Sequence, residues 1–236
     1  MIEGPLLVRE ALAAGVHLRE VFMTPAVDAR LADEVGAAGS EVRWVTEDVL
    51  ARAVDTVTPQ GVAAIARRLE VTVDDAVAAA VQGPLTLVLV DVGDPGNAGT
   101  LLRAAEAAGA AAVLFCGGSV DPCNPKCVRA SAGALFQVPV AIGGEAEGVL
   151  ERLGRAGVRT AATVVRGGTP YDDADLAGPV AIVLGSEAHG LPAGLVDAVD
   201  LRLTIPMAGR SESLNVAMAG SVLCFESLRQ RRNAER

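Results

Sequence analysis

Residues 85–110 read LTLVLVDVGDPGNAGTLLRAAEAAGA, an apolar run closed by an aspartate, three glycines at every third position, and then helical periodicity. The apolar run bounded by turn residues predicts a buried strand, and the pattern beginning near Asn97 or Thr100 predicts a helix. A glycine-rich link that enters a helix N-terminus is a ready anion or nucleotide site, because unpaired amides and the helix dipole both face it. Gly93, Gly96 and Gly99 follow G-x-x-G-x-x-G spacing, however, which is not the G-x-G-x-x-G of a dinucleotide loop, and no G-K-[ST] follows. Two readings therefore stand for the glycines: a cradle for a ligand, or no more than a tight strand-to-helix turn. Asn97 at the mouth and Arg103 six residues on stand out in a segment otherwise rich in alanine and leucine.

Outward from this stretch, short apolar runs alternate with helix-length amphipathic segments. LTLVLVD is followed by a helix, AAVLFC by a helix from about 124, and QVPVAI by a helix from about 145; RTAATVV, VAIVLG and LRLTIP come next. That alternation predicts an α/β fold, a mostly parallel sheet with helices on both faces, over residues 84–236. Residues 1–69 alternate helical and short extended patterns and predict a small α/β domain in front of it. Residues 70–83 have weak periodicity and end in Gly83-Pro84, which marks them as a linker.

With 51% hydrophobic residues the 236-residue chain fills a real core. No apolar run reaches the length of a membrane span, and the first residues lack a basic leader, so a soluble cytoplasmic protein is expected. Four cysteines at 116, 123, 127 and 224 are too few and too clustered for a disulfide scaffold. Cys116, Cys123 and Cys127 lack a fourth ligand at zinc-finger spacing, so buried thiols and no metal are expected. The net charge of −9 argues against nonspecific coating of nucleic acid and leaves room for a local basic site. Lys126 is the only lysine among 20 Lys and Arg residues, and arginine suits bidentate phosphate contacts.

Two further stretches carry chemistry. VAIVLGSEAHGL at 180–191 is a buried strand running into a polar turn bounded by Gly185 and Gly190, at the strand end where open α/β sheets bind ligands. Ser186 and His189 lack the G-x-S-x-G frame of a hydrolase. IPMAGRSESLNVAMAG at 205–220 joins a strand end, a glycine turn and a helix whose first turn is expected to hold Ser211, Ser213 and Asn215, one of the serines serving as a cap.

In order and spacing, NAGTLLRAAEAAGA, IVLGSEAHGL and IPMAGRSESLNVAMA resemble the three motifs of the SpoU (TrmH-like) branch of the SPOUT RNA methyltransferases. EGPLLVREALAAG and VTPQGVAAIA look like the small substrate-binding domain that often precedes the catalytic one, and VDPCNPKCVRASAGALF is similar to the linking region. The resemblance implies a ribose 2′-O-methyltransferase that uses S-adenosylmethionine, with a C-terminal trefoil knot and a homodimeric active site. Carried over by position, Gly185, Ile205 and Leu214 contact the cofactor through backbone groups. Leu184, Met207 and Ser213 enclose it, with Thr163, Ser186 and Gly190 completing the set. Arg103, Asn97, Glu187, Ser213 and Asn215 form the polar catalytic group, Glu187 being expected to lie buried and to orient Asn97 or its loop. The chain departs from the common pattern at Ala188, where many members carry glycine.

Methyl transfer from a sulfonium requires in-line positioning and removal of a proton from a ribose hydroxyl. The resemblance implies Arg103 as the proton acceptor; its high pKa makes a phosphate clamp an equal alternative. With aromatics at 3%, extensive base stacking is not expected, and RNA is read through shape and phosphates. Arg9, Arg19, Arg43, Arg67, Arg68, Arg129 and Arg210 are the candidate RNA contacts, assembled by homodimerisation into a basic groove. The extra N-terminal domain favours rRNA over tRNA as substrate. The competing readings are a noncatalytic RNA-binding member of the fold and a nucleotide-dependent oxidoreductase.

Overall fold

The structure, a computed structural model, describes residues 1–236. The N-terminal domain comprises β1 (Ile2–Glu3), α1 (Pro5–Ala13), β2 (Leu18–Met23), α2 (Ala29–Ala37), β3 (Val42–Trp44), α3 (Glu47–Ala53) and β4 (Val62–Ala66). Its sheet runs β1-β4-β2-β3, with β4 antiparallel to both neighbours and β2 parallel to β3. Leu7, Val8 and Ala11 of α1 recur at helical spacing and are buried, as are Leu31 and Val35 of α2.

The second domain follows as α4 (Val73–Gln82), β5 (Leu85–Val90), α5 (Pro95–Ala107), β6 (Ala112–Cys116), α6 (Pro125–Ser131), β7 (Val140–Gly144), α7 (Ala146–Arg155), β8 (Arg159–Thr163), β9 (Thr169–Pro170), β10 (Val180–Leu184), α8 (Ala193–Ala198), β11 (Leu201–Thr204) and α9 (Val216–Ala234). Seven strands pair in the order β7-β6-β5-β10-β8-β11-β9, and every pair is parallel. Period-two alternation sorts their side chains between two layers. Leu85, Leu87 and Leu89 of β5, with Ile182 and Leu184 of β10, pack in a core that includes Leu101, Leu102, Leu223 and Cys224 of α5 and α9. Val88, Val90 and Val183 face the opposite core, formed with Ala76, Ala80, Val149 and Leu153 of α4 and α7. Full burial of each such Leu or Val side chain stabilises the fold by about 1.5–3 kcal/mol.

The stretch 70–83, expected as a linker, differs from that reading. Residues 73–82 form α4, started by a reciprocal capping box between Thr72 and Asp75, and α4 packs on β6, β7 and α7. Tertiary burial of Ala76 and Ala80 supplies what the weak periodicity left unseen. The core is also continuous between the domains, since Ile2, Leu7 and Val8 share a cluster with Val128 and Leu135. The Glu3 carboxylate, 7% exposed, meets Arg129 of α6 at 3.7 Å and accepts from Thr56 Oγ1.

Helix α9 is tied to the segment between β9 and β10 by polar side chains. Gln230 donates from Nε2 to the Ala174 carbonyl and accepts from the Leu176 amide, and Ser227 Oγ donates to the Leu176 carbonyl. The nearly buried Glu226 accepts from both Arg229 and Gln230.

Candidate active site

A cleft of about 400 Å³ opens beyond the carboxyl ends of β8, β10 and β11, where open parallel sheets bind ligands. Every residue expected to hold a cofactor lines it: Thr163, Leu184, Gly185, Ser186, Gly190, Ile205, Met207, Ser213 and Leu214. These come from three separate stretches of sequence, gathered because β10 lies against β8 and β8 against β11. The walls are mainly aliphatic, with a few polar groups at the rim. Thr163 Oγ1 donates to the Val183 carbonyl at 3.1 Å, which leaves that hydroxyl oxygen as an acceptor. His189 and Glu212 also line the cleft and were not among the expected site residues; each lies within a quoted motif, and that proximity was the only signal for it.

Gly185 shapes the floor. A Cβ there would lie 2.4 Å from the Gly190 carbonyl carbon and 2.5 Å from the Leu191 nitrogen, so the chain returns against a backbone that has no room for a side chain. Ser186 and Gly190 close this turn with a bridge.

At the mouth, three side chains from the three motifs form one hydrogen-bonded row. Asn215 caps α9, its Oδ1 accepting from the amides of Ala217 at 2.9 Å and Met218 at 3.3 Å. That fixes the amide orientation, so Nδ2 points away from the helix and donates to Asn97 Oδ1 at 3.0 Å. Asn97 is thereby obliged to present its own Nδ2 outward, where it donates to Glu187 Oε1 at 2.8 Å. The cap of α9 is Asn215, not a serine: α9 starts at Val216, and Ser211 and Ser213 precede it as exposed residues. Ser213 lines the cleft but makes no hydrogen bond in this row. Glu187 is exposed, not buried, because its turn projects past the sheet.

The glycines of the opening stretch divide their work differently from either reading. Helix α5 begins at Pro95, with Asp94 as cap accepting from the Asn97 amide at 2.7 Å, so Gly96 and Gly99 are already helical. A Cβ on Gly99 would stand 2.5 Å from Ala130 Cβ and 2.6 Å from the Cys127 carbonyl oxygen. Gly99 thus permits close contact of α5 with α6. The turn itself is held by Asp91, in the left-handed region at φ 55, whose carboxylate accepts from the Gly118 amide.

Arg103 is exposed on α5, has no ion-pair or hydrogen-bond partner, and does not line the cleft. Six residues beyond Asn97 place it about 9 Å along the axis and about 120° around the helix, facing out of the chain. Of the arginines expected at RNA, Arg19, Arg67 and Arg210 are likewise exposed and unpaired. Arg9 is engaged by Glu34 at 3.0 Å and Asp28 at 3.8 Å, Arg43 by Glu20 at 3.5 Å, and Arg68 by Glu70 and Asp121. Arg129 serves the contact between domains through Glu3. Charge that is legible as basic in the sequence is partly neutralised by acidic neighbours brought in by the fold.

Cys116, Cys127 and Cys224 are buried, and burial above all pushes each thiol up to about 12, so they remain protonated. Cys123 is half-buried, unlike the expectation. Its thiol, raised by burial and then by Asp121 and Glu70, sits with those two carboxylates within 4.8 Å, a group with metal-ligating chemistry remote from the cleft and bridged by Arg68. No helix is long and apolar enough to cross a membrane.

Residues 84–225 match the model of the SpoU rRNA Methylase family, and residues 1–72 match that of RNA 2'-O ribose methyltransferase substrate binding. The chain is 32% identical over 226 residues to the 23S rRNA (guanosine(2553)-2'-O)-methyltransferase RlmP of Bacillus subtilis, covering 95% of this chain and 86% of that one. It is 38% identical over 223 residues to the 23S rRNA (guanosine-2'-O-)-methyltransferase RlmB of Xylella fastidiosa, covering 91% and 90%. Among solved structures, an AdoMet-bound rRNA methyltransferase from Sinorhizobium meliloti is similar with a TM-score of 0.83 at 32% identity, covering 96% of this chain and 85% of that one.

Proposed function

The chain belongs to the SpoU rRNA methylase family, and on that premise we propose that it methylates the 2′-hydroxyl of a ribose in rRNA, using S-adenosylmethionine. The observation that carries this reading is the convergence of three motifs: two contribute walls of one cleft, and all three meet in the Asn215–Asn97–Glu187 row at its mouth. The cleft fits the cofactor. Its volume lies in the range of small-molecule sites, its aliphatic walls suit an adenosine, and the absence of a side chain at Gly185 lets the backbone of the following turn close tightly along the cleft. Leu184, Ile205, Met207 and Leu214 would hold the adenosine, with Thr163, Ser186, Gly190 and Ser213 supplying polar contacts. When bound, S-adenosylmethionine supplies a methyl group already activated on a sulfonium.

The chain's own task is to position the ribose hydroxyl for in-line attack, with its proton passing to water at the exposed mouth. Asn97, its amide polarity fixed by Asn215 and Glu187, orients the nucleotide at the mouth. Arg103 clamps the phosphate next to the reacting ribose and favours the developing alkoxide electrostatically. Its exposure and lack of an internal partner support that role. A second copy of the chain completes the site. Met218, 61% exposed, and Phe225, 49% exposed, lie with Val222 at helical spacing on α9, which packs along α5, the helix of Arg103. Burial of that stripe in a homodimer brings Arg103 of one subunit towards the cleft of another. The resemblance of the three motifs to this family supports a trefoil knot at the C-terminal end, and the substrate supports work in the cytoplasm.

Arg19, Arg67, Arg103 and Arg210 carry the phosphate contacts. The test is transfer of a labelled methyl group from S-adenosylmethionine to rRNA and to tRNA, followed by mapping of 2′-O-methyl positions. Incorporation into rRNA at one ribose is expected. Binding of NAD instead of S-adenosylmethionine, or methylation of tRNA alone, would overturn the reading.

A further inference from the structure

The cofactor cleft has two polar lining residues to which the methyl-transfer reading gives no task, His189 and Glu212. Glu187 and Glu212 carry the only formal charges in the lining. Glu187 is committed to Asn97, from whose amide it accepts at 2.8 Å. Glu212 accepts no hydrogen bond. Its neighbour is the Arg166 guanidinium at 3.9 Å, too far for a hydrogen bond. The two side chains are 82% (Arg166) and 85% (Glu212) exposed, so the ion pair is screened by solvent and adds little to the stability of the fold. Two opposite charges thus stand side by side at the cleft with their hydrogen-bonding capacity unspent.

The backbone brings them together. Strand β8 ends at Thr163, and the turn after it is held on β11: the Val164 amide donates to the Leu203 carbonyl at 2.8 Å, and Thr204 Oγ1 donates to the Val165 carbonyl at 3.0 Å. A Cβ on Gly168 would lie 2.8 Å from the Leu203 carbonyl carbon, so the turn closes on β11 with no side chain between them. That turn carries Arg166, and the segment leading from β11 to α9 carries Glu212. Val164 and Val165 next to Arg166, and Ser213 and Leu214 next to Glu212, line the cleft itself.

We propose that Arg166 and Glu212 bind the amino-acid end of S-adenosylmethionine, Glu212 accepting from the α-ammonium and Arg166 donating to the α-carboxylate. An α-amino acid carries its ammonium and its carboxylate on one carbon, so the ligand group that fits two neighbouring charges of opposite sign is itself a zwitterion. A lone carboxylate would attract any cation, whereas a carboxylate beside a guanidinium favours a group that brings both signs. Hydrogen bonds between ionised partners are also stronger than neutral ones. The aliphatic walls that suit the adenosine offer nothing to either charge. The inference rests on S-adenosylmethionine being the cofactor, and it adds the residues that distinguish it from a bare nucleoside.

The test is calorimetric titration of the full chain, as parent, E212Q and R166A, with S-adenosylhomocysteine, methylthioadenosine and decarboxylated S-adenosylmethionine. S-adenosylhomocysteine keeps the amino-acid end without the sulfonium charge, methylthioadenosine lacks that end, and the decarboxylated cofactor lacks only the carboxylate. E212Q should weaken S-adenosylhomocysteine about tenfold and leave methylthioadenosine unchanged. R166A should weaken S-adenosylhomocysteine about fivefold without weakening the decarboxylated cofactor. Equal losses for S-adenosylhomocysteine and methylthioadenosine would mean that the substitution disturbs the cleft as a whole. S-adenosylhomocysteine unaffected by E212Q would remove Glu212 from the ammonium, and decarboxylated cofactor weakened by R166A as much as S-adenosylhomocysteine would remove Arg166 from the carboxylate. Each of these three results overturns the assignment. A parent chain that binds none of the ligands would overturn the cofactor reading, and this assignment with it.

Discussion

Asn97 and Glu187, 90 residues apart in sequence, are joined by a hydrogen bond of 2.8 Å from the asparagine amide nitrogen to the carboxylate. Because Asn215 fixes the other end of the row, the direction of this bond is determined, and reversing it is informative. N97D sets two acceptors against each other and should lower methyl transfer about tenfold or more. Adding E187Q supplies a donor again, so the double variant N97D/E187Q should recover activity relative to N97D. A double-mutant cycle on kcat measures the coupling; strictly additive effects would contradict a shared orienting role.

Arg103 has no internal partner, so R103A should leave folding and cofactor affinity intact while lowering kcat/KM by at least about a hundredfold, or about 2.7 kcal/mol. Calorimetry for the cofactor and labelled methyl incorporation into rRNA separate the two effects. Near-normal turnover would remove Arg103 from the reaction.

Gly185 meets backbone atoms, which cannot step aside as a flexible side chain does. G185A should therefore cost about 2 kcal/mol, lower Tm by about 4–8 °C, and weaken cofactor binding in parallel. Thermal unfolding with and without S-adenosylmethionine reads both.

Glu226 is lowered from the ordinary carboxylate value because Arg229, above all, and Gln230 hydrogen-bond its charged form. A lowered folded-state pKa adds stability that is complete above the unfolded value, about 4.3, and is lost as pH falls through the folded value below it. Acid unfolding curves of E226Q should accordingly be shallower than those of the parent below about pH 4.3. Equal slopes would show that the carboxylate contributes nothing in that window.

Glu3 and Arg129 join the two domains, and Glu3 is the buried partner. R129A leaves its carboxylate without a cation and should cost about 2 kcal/mol, less than for a fully buried pair because Arg129 is 31% exposed. The same variant should leave the salt slope of RNA binding unchanged, whereas R67A should reduce it by about one unit. Filter binding across salt concentrations, together with chemical denaturation, tests the two outcomes.

Much of this molecule was legible in local pattern. The alternation in LTLVLVD, AAVLFC and VAIVLG marks the buried parallel strands, since each face of the sheet takes every second residue. The spacing of NAGTLLR, LGSEAHG and GRSESLN marks the residues that line or border the cleft. Helix α4 was not legible, because a run of alanines and valines acquires its helical stripe only when β6, β7 and α7 are there to bury it. Nor was the purpose of Gly99, whose missing side chain matters only once Ala130 lies against it.

The sequence by itself determined the class of fold, the family motifs and the residue types at the site, because periodicity and turn chemistry act over a few residues. Tertiary structure alone decided the rest: which arginines stay free, that Asn215 and no serine caps α9, and that Glu187 stands in solvent. Pairing of charges and amides depends on contacts as distant in sequence as Asn97 with Asn215 and Glu3 with Arg129, which no local pattern encodes.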